Sequence, residues 1–140
     1  MSEETRRYAG WLIIILPTVI YGGVSLLSML IEPSSSYHES TFRRDLWRAG
    51  HAHAGVLLIL SLLAYLYVDK AKLSAGMKRF VCASIPLSAI FIPFAFFLSV
   101  LSPDATEPTA LIYFAYVGAL SLAAGLIVLG IGLIRRSESK

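Results

Sequence analysis

ALIYFAYVGALSLAAGLIVLGIGLI, Ala110–Ile134, is a run of 25 residues without an Asp, Glu, Lys or Arg. As an α-helix rising ~1.5 Å per residue it more than crosses the ~30 Å hydrocarbon layer of a bilayer. Working back along the chain, three further runs have the same character, at about residues 11–31, 51–68 and 80–101, and none of them carries a charge. The chain is 56% hydrophobic and 15% charged, with mean hydropathy +0.71, too little polar surface to coat a water-soluble globule of 140 residues. Alternating β-barrel strands are shorter and half polar, which leaves the helix as the spanning form. The expectation is an all-α fold: one integral membrane four-helix bundle over residues 1–140, without repeats or separate domains.

Orientation follows from the cations. Arg6 and Arg7, then Lys70, Lys72, Lys78 and Arg79, then Arg135, Arg136 and Lys140 account for nine of the twelve Lys and Arg. In a four-span protein these three segments share one side, and an excess of positive charge marks that side as cytoplasmic. Both termini are therefore expected in the cytoplasm and the protein in the cytoplasmic (plasma) membrane. The first run is longer than a signal-peptide core and ends in Met29-Leu30-Ile31, a poor cleavage site, so it is read as a retained span. The net charge of +3 is what such a topology requires, and nucleic acid is not implied. Cys82 is the single cysteine and is read as a packed thiol.

Helices in lipid associate by close packing at small residues. Gly118, Gly125 and Gly132 recur every seven residues in the last span and form one smooth stripe, for a neighbouring helix of the same chain or for another subunit. Pro17, Pro86 and Pro93 lie inside spans, where each removes a backbone donor and favours a bend. Four short helices enclose little volume, so a site between subunits is a reasonable expectation.

One segment departs from the apolar background: FRRDLWRAGHAHAG, Phe42–Gly55, with two histidines just after three arginines. Imidazole is the commonest protein metal ligand, and no carboxylate lies within a span to compete with it. Successive helical residues turn by ~100°, so His51 and His53 project on roughly opposite faces and do not clasp one ion. Haem iron needs less, because the porphyrin supplies four nitrogens and one axial His suffices. Arg43, Arg44 and Arg48 are placed to hold propionates by charge-assisted hydrogen bonds. Val56, Leu57 and Leu60, at i+3, i+4 and i+7 from His53, would lie against the macrocycle. The plainer reading is a histidine bonded to a carbonyl or water beside arginines that anchor lipid headgroups. His38, in the Ser-rich first loop, is read as a solvated residue.

Three places in the chain resemble the styrene oxide isomerases, small membrane enzymes that convert aryl epoxides to aldehydes. They are Arg7-Tyr8-Ala9-Gly10 before the first span, Trp47-Arg48-Ala49 with His53-Ala54-Gly55 opening the second, and Phe96-Phe97-Leu98 leading to Ser102-Pro103 after the third. The hydroxylaminobenzene mutases are more distantly similar. The resemblance implies a homotrimer with haem b at the subunit interfaces and ferric iron acting as Lewis acid on a small lipophilic substrate. His53 matches the axial ligand, and His51 takes that place if one residue is inserted. The family's Asn, Asp and Tyr that handle substrate fall on Ile59, Ser88 and Phe96, a loss that argues against an unchanged isomerase reaction. Two other classes therefore stand beside the haem isomerase: a non-enzymatic haem protein for electron transfer or sensing, and an accessory subunit of a membrane complex. Transport fits poorly, since no ionisable carboxylate or amine lies at depth.

Overall fold

A computed structural model describes residues 1–135 and contains four long helices: α1 (Glu3–Ile31), α2 (Thr41–Val68), α3 (Ala75–Leu98) and α4 (Phe114–Ile134). All four are long and apolar enough to cross a membrane, the last together with the 3₁₀ turn Ala110–Tyr113 that leads into it. The first three helices outrun their apolar runs at the start because serines cap them in the flanking polar segments. Ser2, Ser40 and Ser74 accept hydrogen bonds from the amides of Thr5, Arg43 and Met77, each satisfying a donor that the first turn leaves free. The arginine segment before His51 is thus the first three turns of α2 and not loop. Pro17, Pro86 and Pro93 sit within continuous helices.

Packing follows chain order. α3 lies between α2 and α4, whereas α1 rests mainly on α2, so the four helices pack as a layer. Ala9 and Leu12 tie α1 to a core that contains Leu58, Ala64, Tyr65, Val68, Val81, Ile85 and Leu129. Tyr65 donates from its hydroxyl to the Cys82 carbonyl at 2.8 Å, and the Cys82 side chain is buried as expected. The glycine stripe is used inside the chain. A Cβ at Gly118 would stand 2.7 Å from Ile92, one at Gly125 would overlap Ser84, and one at Gly132 would stand 2.6 Å from Leu73. α4 therefore packs its backbone on α3 and on the turn before α3, and the glycines are no evidence for a partner subunit.

The two ends of the layer are each sewn together. At one end the Asp69 carboxylate accepts from the Ser2 amide and the Thr5 hydroxyl, Lys78 donates to the Asp69 carbonyl, and Lys72 N–H donates to the Gly132 carbonyl. The start of α1, the α2–α3 turn and the end of α4 share this end, as the distribution of cations requires; Arg136 and Lys140, also used in that reading, lie outside the described residues. At the other end Ser40 donates to the Ala105 carbonyl, joining the α1–α2 loop to the α3–α4 loop.

Two predictions test this packing. Gly125→Leu forces α4 off α3 and lowers stability in detergent by ~1–3 kcal/mol or more, whereas Gly130→Ala, which meets nothing within 4 Å, does not lower the unfolding midpoint and, as a helical Gly-to-Ala change, should raise it slightly. Burial alone would raise the Asp69 carboxyl, but the hydrogen bonds from Ser2 and Thr5 outweigh it and hold the group below its ordinary value. That contribution is complete above the ordinary carboxylate range and is lost as pH falls through the lowered folded value. Wild-type stability should fall on acidification below ~pH 4, and Asp69→Asn should flatten that part of the profile.

Candidate functional site

The two histidines leave α2 on different sides, as their spacing demands, and each meets different chemistry. His53 is exposed on the outward face of α2. Its Nδ1 stands 2.7 Å from the Ala49 carbonyl oxygen one turn earlier. A carbonyl can only accept, so Nδ1 carries the hydrogen, and in the neutral ring Nε2 presents its lone pair. The ring plane is set on its other side by Phe96 of α3, at 5.3 Å between centroids and nearly perpendicular. An imidazole whose second nitrogen donates to a backbone carbonyl has the arrangement that orients metal-ligating histidines.

The surface around His53 is apolar. Val56, one turn on, is 64% exposed and Ile59 is 59% exposed, so both face the same non-aqueous surroundings. Leu60 is partly buried. Leu57 departs from expectation: at 4% exposure it packs into the interior, because its position turns from the His53 face toward α3, and it cannot line a macrocycle there. Gly50 lets α3 come close, since a Cβ at that position would meet the Phe97 ring at 3.1 Å and Phe96 at 3.3 Å.

His51 faces α1. Its Nε2 lies 3.0 Å from where a Cβ of Gly23 would stand, and Nδ1 lies 3.7 Å from that of Gly22, so the ring rests on a glycine shelf. That contact leaves His51 the more hindered of the two as an iron ligand. Beside it a groove of about 980 Å³ opens between the ends of α1 and α2, lined by Leu26, Leu27 and Leu30 on one wall and by Arg44, Arg48 and His51 on the other.

The three arginines separate. Arg43 is 7% exposed and serves the fold: Nε donates to the Val100 carbonyl at 3.2 Å, Nη1 to the Ser36 carbonyl at 3.3 Å, and the guanidinium lies 4.0 Å from the centre of the Trp47 ring. It is therefore spent on holding both loops of this end, and the propionate role expected of it does not fit. Arg44 lines the groove and reaches only the Thr41 hydroxyl, at 3.4 Å. Arg48 is exposed at the groove's rim, 4.0 Å from Asp45, an exposed pair of little energetic weight. Trp47 donates to the Phe97 carbonyl at 3.4 Å and completes an aromatic cluster with Tyr37 and Phe97. His38 stays in the loop, with Nε2 3.2 Å from the Glu32 carbonyl oxygen.

Of the three positions singled out by the resemblance, Ile59 faces outward, Ser88 is fully buried with its hydroxyl committed to the Ile85 carbonyl at 2.6 Å, and Phe96 abuts His53. Among the described residues no three His, Cys, Asp or Glu side chains converge on one point. An axial haem ligand does not require such a group. No family model, curated protein or solved structure matches the chain.

Three features went unread in the sequence. The Arg43–Trp47–Tyr37 cluster gave no local signal, since its contacts come from distant loops. The pairing of Phe96 with His53 is a contact between two helices, which the spacing along one helix does not reveal. The groove had a sequence signal, because Gly22, Gly23, Leu26, Leu27 and Leu30 share one face of α1 by helical periodicity.

Arg43→Ala removes charged hydrogen bonds from a buried setting and should cost ~1.5–3 kcal/mol or more in detergent unfolding. Arg48→Ala, measured alongside, should leave stability almost unchanged.

Proposed function

We propose that this chain is a haem b-binding, four-span protein of the cytoplasmic membrane, both termini in the cytoplasm, with His53 as the axial iron ligand at the contact between copies of a homo-oligomer. The resemblance to styrene oxide isomerases makes that oligomer a trimer and the reaction an isomerisation of a small lipophilic epoxide. The observation that carries the reading is the state of His53: Nδ1–H is bound to the Ala49 carbonyl, and Nε2 is left open on an apolar face. A ligand on an outward face needs a second wall for its cofactor, and another copy of the chain supplies one.

When bound, ferric haem would supply a Lewis acid for an epoxide oxygen. The chain's own contribution is binding and exclusion of water. His53 is held in one tautomer by Ala49 and in one plane by Phe96, so little ordering remains to be done on binding. Val56 and Ile59 offer an apolar wall, whereas Arg44 and Arg48 share the face of His51 and so lie away from it.

One observation favours a second reading. Ile59, Ser88 and Phe96 offer no free polar group to align a substrate, so the same haem face suits electron transfer or sensing without turnover. The glycine stripe, one of the two motives for the accessory-subunit reading, is filled within the chain by α3 and Leu73; the small size of the chain remains as its other motive.

Protein purified after haem-supplemented expression should show a Soret band that His53→Ala abolishes and His51→Ala retains. A colourless wild type, or a band lost only in His51→Ala, contradicts the assignment. Adding an aryl epoxide to the coloured protein separates the two readings: aldehyde formation supports the isomerase, and reversible reduction without turnover supports the electron carrier.

A further inference from the structure

The groove beside His51 has a polarity that the haem reading does not use. Arg44, Arg48 and His51 fall at i, i+4 and i+7 of α2 and so share one face, with Arg44 ~10 Å nearer the loop end than His51. The opposing α1 wall is apolar, and Leu30, Leu27 and Leu26 run in order from the loop end toward mid-span. A cationic mouth at the membrane surface above an apolar slot open to the bilayer has the order of parts found in a lipid. Arg44 holds only the Thr41 hydroxyl, and Asp45, which lines the same groove, stands 4.0 Å from Arg48 in an exposed contact, so two arginines against one carboxylate leave the mouth positive.

We propose that this groove binds an anionic phospholipid of the adjoining leaflet, with the phosphate at Arg44 and Arg48 and one acyl chain along Leu26, Leu27 and Leu30. Charge selects the headgroup, since a zwitterionic lipid brings a cation of its own to the arginines. The leucine wall selects an amphiphile over a free anion, which gains nothing from it. The lipid fills the space that α1, packed mainly on α2, leaves open, and so props the outer half of α1. This proposal stands whether or not His53 carries haem.

The test is native mass spectrometry of the full chain released from detergent, after titration with phosphatidylglycerol or with phosphatidylcholine of the same acyl chains. Phosphatidylglycerol should be retained about fivefold or more over phosphatidylcholine, the effect of one or two cations near a headgroup. Arg44→Gln should remove most of that preference. Leu27→Trp, which fills the slot and leaves the charges in place, should lower retention of both lipids, so that failure of one variant to fold still leaves a test. Equal retention of the two lipids overturns the proposal, as does an undiminished preference in Arg44→Gln. Displacement by millimolar inorganic phosphate would assign the mouth to a free anion and overturn it too.

Discussion

Nothing expels water between helices inside a bilayer, because lipid tails are as apolar as leucine. Helices must be held by close backbone approach and by the few polar bonds that the hydrocarbon leaves unsatisfied. Here that constraint is met between α3 and α4, where Gly118, Gly125 and Gly132 let one helix lie in the surface of the other. α2 then packs on the other side of α3, with Gly50 admitting Phe96 and Phe97. The position of Phe96, and through it the plane of the His53 ring, depends on that approach.

The polar ends perform a second task. Ser40 caps α2 and donates to the α3–α4 loop, and Arg43 binds carbonyls from both loops of the same end. These bonds lock the first turns of α2, which carry Arg44, Arg48 and His51. The three arginines look equivalent as a cluster in sequence. The fold makes one of them a clamp and leaves two for ligands, by a difference of a few residues in helical phase.

Much of the architecture is legible in the amino-acid order, because lipid imposes one rule on every position: four uncharged runs of sufficient length are four helices. The ~200° separation of His51 and His53 is legible for the same reason, as helical phase is a property of spacing. Helix starts are less so, since Ser40 and Ser74 sit among other polar residues and their capping depends on the turn they enter. The fate of Leu57 and Arg43 could not be read from α2, because burial of one and satisfaction of the other come from α3 and the distant loops. The glycine stripe was legible as an interface but not as to its partner, since only the packed chain tells whether α3 or another copy fills it.

The central claim is that an outward-facing imidazole, fixed through its Nδ1–H to the Ala49 carbonyl, holds porphyrin iron on its other nitrogen. The most direct measurement is an electron cryomicroscopy map of the detergent-purified protein. The account predicts a flat macrocycle whose central density joins His53 Nε2 at bonding distance, between two copies of the chain. A map in which Nε2 faces only acyl chains, or in which a macrocycle is bound through another residue, would contradict it.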